Sequence, residues 1–147
     1  MTYNRRLMTD HALEALLPEG EEQQRWEVGD HEKPKQGGWQ GDPGRSDFIP
    51  YVVLTSLRSQ RPSGPISTPG GDVLFPYALT SIGSSRRQVQ MMSDLARERF
   101  RSLARTKDDA GQTFGSVDIA SYGAVDRLST EPPIYSITDT LNVWMTR

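Results

Sequence analysis

FIPYVVLTSL (48–57), DVLFPYALTSIG (72–83) and SSRRQVQMMSDLARERFRSLART (84–106) are the stretches on which the fold turns. The first two are rich in β-branched and aromatic residues and apolar at nearly every central position, which predicts two strands covered on both faces. Helices would take one face and a neighbouring copy the other. Pro76 has no N–H to give to a ladder, so the second strand is expected at an edge, or bulged there. The third stretch predicts a long helix over 84–107, opened by a capping box in which Ser85 meets the N3 amide and Gln88 reaches back. At about 100° per residue, Val89, Met92, Ala96, Phe100 and Leu103 share an arc of roughly 80°. Arg86, Arg97, Arg101 and Arg105 form a second arc roughly opposite. Met91 and Leu95, one turn apart, lie outside the apolar arc and read either as partly buried edge residues or as a subunit contact.

Towards the N-terminus, Asp10 is a candidate cap for HALEALL (11–17), which Pro18 stops, and Leu13, Leu16 and Leu17 share one face; the residues before Asp10, with Tyr3 and Leu7, either extend this helix or form an arm. Residues 23–28 alternate weakly, as a first strand would. Residues 30–47 (DHEKPKQGGWQGDPGRSD) read as a long loop, because Gly and Pro remove any helical or strand period. Within it Trp39 has two readings, a ring folded over its own core or an anchor for a partner. Residues 58–71 read as a projecting arm or a solvated loop. Beyond the long helix, 108–112 is a turn, 116–120 a short strand, and the chain is irregular through Val125 and Leu128 to Pro132-Pro133. Residues 134–145 alternate well, with Tyr135, Ile137, Leu141, Val143 and Met145 on one side and Asp139 the polar exception. This strand is expected to close the sheet. The fold class is α+β, a small mixed or antiparallel sheet with a long amphipathic helix and a short N-terminal helix packed on one face.

The 147 residues fit one domain, 1–147, with 30–47 and 58–71 as extended loops or arms, and 13 Gly and 10 Pro suit long polar loops on a modest core. The net charge is only −2. It is segregated, however: residues 1–50 carry an excess of acid, whereas the long helix is dominated by arginine. That pattern suits contact between copies better than a general nucleic-acid surface. With no cysteine, disulfides, thiolate metal sites and cysteine nucleophiles are excluded. No run of about 18 apolar residues occurs, so no membrane helix is expected. The two histidines, His11 and His31, have no serine motif near them, and GxSxG is absent. HExxH, EF-hand and P-loop patterns are absent too, so the sequence offers no catalytic site, metal or cofactor. The arginine stripe has no aromatic residues interleaved in sequence, as a stacking platform for single strands would need.

Three stretches together resemble the tail terminator proteins of long-tailed, siphovirus-type phages of actinobacteria: GGWQGDPGRSDFIPYVVL (37–54), YALTSIG running into SSRRQ (77–88), and PPIY (132–135). Helix, GGWQG loop, strand, arm, strand, long helix and C-terminal strand follow in that family's order over nearly the whole chain. The resemblance implies a structural virion protein and no enzyme. Such a subunit forms a ring, a homo-hexamer, at the head-proximal end of the tail tube. The ring stops polymerisation of the major tail protein and offers a docking face to a head-completion, stopper or adaptor protein. Genomic DNA passes through its lumen without sequence-specific binding. Assembly in the host bacterial cytoplasm and residence in the virion follow, with no membrane partner. On that footing Trp39, Arg58, Arg61 and Ile66 are expected to contact the neighbouring rings. Met91, Leu95, Arg97, Arg101 and Arg105 are expected to face an adjacent subunit. A head-closure or stopper protein of the neck is the alternative within the same machinery. A small monomeric enzyme or binding domain, with His31 as its base, is the alternative outside it.

Overall fold

The computed structural model describes residues 3–18, 25–57 and 73–146. Helix α1 (Arg5–Leu16) precedes strands β1 (Glu27–Asp30), β2 (Gly38–Trp39), β3 (Phe48–Ile49), β4 (Tyr51–Ser56) and β5 (Val73–Gly83). Helix α2 (Arg86–Arg101) follows, then β6 (Thr113–Ser121), β7 (Asp126–Thr130) and β8 (Pro133–Thr146). The main sheet runs β1-β4-β5-β8-β6, with β7 also paired to β8; among the described residues the β1–β4 pair is parallel and the others antiparallel. The fold is α+β: a mixed sheet with both helices on one face.

That face holds the core. Val52, Leu54, Phe75, Tyr77, Leu79, Leu141, Val143 and Met145 alternate along β4, β5 and β8 and are all nearly or fully buried. Against them lie Met8, Ala12 and Leu16 of α1, and Met92, Ala96 and Phe100 of α2, with Leu103 just beyond it. The predicted apolar arc of the long helix is thus its buried side, and each of the larger side chains contributes about 2 kcal/mol by leaving water. Trp26 closes the cluster, its indole N–H donating to the Leu16 carbonyl at 2.9 Å.

Several expectations are corrected. Helix α1 begins at Arg5, with its cap at Asn4 rather than at Asp10, more than one and a half turns earlier, and the Asn4 side chain accepts from the Leu7 amide. Asp10 sits mid-helix, paired with Arg6 one turn back. Helix α2 ends at Arg101 rather than Lys107, since Arg105 has φ 67° and its amide turns to the carbonyls of Phe114 and Gly115. β5 is interior, not an edge. Pro76 is tolerated because it lies where β4 runs out: the Leu57 amide still donates to the Pro76 carbonyl at 2.9 Å, and the one ladder bond Pro76 cannot give lies beyond the last residue of β4. β8 is interior too, flanked by β5 on one side and by β6 and β7 on the other. The stretch read as irregular supplies β7, which returns into β8 as a hairpin. Among the described residues no helix covers the second face of the sheet. Val53, Thr55, Leu74, Pro76, Ala78 and Thr80 there are half-buried rather than covered.

Candidate functional site

The GGWQG stretch is ordered by the strand it precedes. β2 and β3 form a two-stranded ribbon in which Trp39 opposes Phe48. The Trp39 ring meets Phe48 edge-on at 5.1 Å, and Phe48 stacks on Tyr51 at 6.4 Å. Gly37 is where this ribbon crosses the Tyr51 ring: a Cβ there would lie 2.8 Å from Tyr51 Cδ1. Burial under the ribbon pushes the Tyr51 phenol above its ordinary pKa. The turn buttresses itself, with the Gln40 amide donating to Asp47 O at 2.9 Å and the Gly41 amide to Ser46 Oγ at 2.9 Å. Trp39 is half-buried, and its indole nitrogen meets no acceptor among the described residues.

The arginine arc splits into separate environments. Arg97 turns inward: its guanidinium donates to Asp139 Oδ2 at 3.2 Å and Ser93 Oγ at 2.8 Å, and pairs with Asp94. Ser93 Oγ also donates to Asp139 Oδ2 at 2.7 Å, and the Gly123 amide donates to Asp139 Oδ1 at 2.8 Å. Asp139, 0 % exposed, therefore ties β8 to α2 and to the β6–β7 connection. On its outer side Arg97 lies over the Tyr122 ring, 5.1 Å from the centroid. Asp94, Arg97, Glu98, Arg101, Ser102, Ile119 and Tyr122 line an open cleft of about 550 Å³. Arg86 and Arg127 both approach the ring of Tyr135, at 5.9 and 5.8 Å. Aromatic residues do interleave with the arginines, but they arrive from β6–β7 and β8, where no local sequence pattern could show them.

Of the residues assigned to a subunit contact, Met91 and Arg101 are exposed on α2, Leu95 packs partly on the core, and Arg97 has the internal partners given above. Arg105 is exposed past the end of the helix. The structure brings Arg97 and Arg101 to one cleft and leaves Met91 and Arg105 out of it. Trp39 lies at the β2–β3 ribbon, whereas Arg58, Arg61 and Ile66 lie outside the described residues. Sequence reasoning missed Asp139, Tyr122 and Gly123 as a unit. The one available signal was Asp139 itself, a carboxylate on the apolar side of an alternating strand.

The histidines make local contacts. His31 Nδ1 meets Asp30, and its Nε2 accepts the backbone N–H of Ser56 at 3.1 Å. Ser56 Oγ instead accepts from Arg5 at 2.7 Å. Asp, His and Ser are thus adjacent, but the imidazole lone pair that a nucleophilic serine would need is spent on an amide. Burial pushes Asp30 up, while hydrogen bonds from His31 and Arg6 and the charges of both outweigh it and hold the carboxyl below its ordinary value. His11 Nε2 meets Thr106 Oγ1 at 2.9 Å with its ring on Phe114. Among the described residues no three His, Asp or Glu side chains gather as metal ligands, and no helix is long and apolar enough to cross a membrane. No protein-family model matches the chain, and no curated protein matches it.

Proposed function

We propose that this chain is a structural ring subunit, a tail terminator of a long-tailed actinobacteriophage, which caps the head-proximal end of the tail tube and receives the head-completion proteins. The observation that carries the reading is that the most distinctive resembling segment, GGWQG through PYVV, is one structural piece. Its glycine pair lies on the tyrosine of PYVV, with a Cβ at Gly37 only 2.8 Å from that ring. A motif whose two ends meet in space has a reason to travel together in a family. Among the described strands β1, and β6 with β7, lie at the sheet's edges, and these would give a ring its pairing surfaces. Of the residues assigned to a neighbouring subunit, Met91, Arg101 and Arg105 are exposed, and Trp39, Arg58, Arg61 and Ile66 are assigned to the rings above and below.

Deleting the gene from its parent genome and imaging the lysate by negative-stain electron microscopy tests this. Overlong headless tails beside filled heads are expected. Tails of normal length beside emptied heads would move the protein to the head side of the joint, and whole infectious particles would end the reading.

A further inference from the structure

The parallel ladder between β1 and β4 advances evenly. The Glu27 amide donates to the Pro50 carbonyl at 3.1 Å, and four residues on in both strands the His31 amide donates to the Leu54 carbonyl at 2.9 Å. In a parallel pair, a residue that gives its N–H to one partner receives at its own carbonyl the N–H two places further along that strand. The Ser56 amide is therefore due at the backbone of His31. It goes instead to Nε2 of the His31 ring, at 3.1 Å. The His31 backbone has turned out of the strand with φ at 65°, a left-handed conformation that a non-glycine residue holds at a cost. Its side chain thus completes the rung that its main chain gives up.

The two partners of the ring fix where its proton lies. An N–H from Ser56 requires a lone pair at Nε2, and a neutral ring with that lone pair carries its hydrogen on Nδ1, facing Asp30 Oδ1. The charged groups around it come from two elements. Asp30 ends β1, while α1 sends Arg6 to Asp30 at 2.8 Å and Arg5 to the Ser56 hydroxyl at 2.7 Å, with Asp10 sharing Arg6. Glu32 and Lys33 follow His31 in the chain, both exposed. Two guanidiniums thus meet two carboxylates, and the neutral ring sits among balanced charge. A proton from solvent can enter only at Nε2, the position that holds Ser56. It turns the acceptor into a second donor aimed at an N–H, with the Arg5 guanidinium close by. The side chain is 45 % exposed, so solvent reaches it, and imidazole is the group that ordinarily titrates between about pH 5 and 8.

We propose that His31 is a proton-operated latch between β1 and the end of β4: neutral, it closes the last rung on Ser56, and protonated, it keeps Asp30 and lets Ser56 go. β1 has four residues, so a rung lost at its end loosens the strand as a whole. The end of β4 is then held by Arg5, through the Ser56 hydroxyl and the Leu57 carbonyl, and by β5. The latch needs no partner and no second copy, and it stands apart from the ring reading above.

The test uses the isotope-labelled full chain, followed by NMR from about pH 8 to about pH 5. At the alkaline end the ring nitrogens should report the Nδ1–H tautomer, and the Ser56 amide should be protected from exchange. As His31 takes up its proton, the protection factor of Ser56, corrected for the intrinsic pH dependence of exchange, should fall about fivefold in step with the ring, the net worth of one such hydrogen bond. His31→Gly removes the ring and suits the left-handed backbone, so it should fold while Ser56 stays at the low protection across the whole range. An Nε2–H ring at the alkaline end, a ring that stays neutral throughout, or protection that holds level while His31 titrates would overturn the latch. A fall that persists in His31→Gly would overturn it too, by assigning the effect to another group.

Discussion

Asp139 is 0 % exposed, so the groups around it have to replace the water its carboxylate has lost. Three donors do so, from Ser93, Arg97 and Gly123. Asp139→Ala should then be far worse than its small volume suggests, because Arg97, whose side chain is only 20 % exposed, loses its buried carboxylate and keeps only the neutral Ser93 hydroxyl and the solvent-exposed Asp94 as polar partners. A loss of about 3 kcal/mol in urea unfolding is expected, and Arg97→Met/Asp139→Leu should recover most of it. If the double variant is no better than the single one, the cost lies in packing and not in charge. Gly123 gives a second expectation. With the carbonyl oxygen of Thr138 only 2.1 Å from where a Cβ would sit, Gly123→Ala must shift backbone and should cost about 1–3 kcal/mol. The glycine was visible in the sequence, but nothing local distinguishes it from a solvated turn glycine. Its necessity comes from a strand sixteen residues away along the Asp139 bond.

Helix α2 shows how far an element can be read from its own residues. Its buried arc and its Ser85 cap are local properties, set by period and by one side chain, and both are present: Ser85 Oγ accepts from the Gln88 amide at 3.1 Å. Gln88 reaches back one residue further than a capping box requires, to the Ser84 amide at 2.8 Å. Where the helix stops was not local. Leu103 keeps the apolar period past Arg101, and the stop is imposed by β6, whose Phe114 carbonyl takes the Arg105 amide at 2.8 Å. The same holds for Pro76, whose meaning depends on where the neighbouring strand ends. Ser85→Ala is expected to cost about 1 kcal/mol, read from a denaturation midpoint. Arg87→Glu should stabilise by a few tenths to about 1 kcal/mol, since the first turn holds no acidic residue and two arginines face the positive end of the helix dipole. High salt should erase the second effect and leave the first. A cap bond is short-ranged, whereas the dipole term is screened.

At the scale of the whole molecule, stability should fall at both ends of the pH range for different reasons. On the acid side the group is Asp30, which joins β1 to α1 through Arg6 at 2.8 Å. Its folded pKa lies below the ordinary carboxylate value, so its contribution is present above that value and lost as pH falls through the depressed one. On the alkaline side the group is Tyr77, 1 % exposed, with its ring against Phe100 at 5.5 Å in the centre of the core. Burial raises its pKa, opposed by Thr9 and then by Arg5, with Asp108 adding the smallest push upward. The unfolded chain ionises at the ordinary tyrosine value and the folded chain does not. Stability is therefore full below that value and declines as pH climbs from it towards the raised one. Denaturant midpoints taken from about pH 8 to about pH 11.5 should fall at the top of that range, and Tyr77→Phe should flatten the fall. The phenylalanine keeps the ring that packs on Phe100 and removes only the ionising oxygen. Tyr51, half-buried under the β2–β3 ribbon and also raised, would account for a residual slope. A profile unchanged by Tyr77→Phe, but flattened by Tyr51→Phe, would mean that the ribbon over the second face holds the sheet more firmly than the core beneath it.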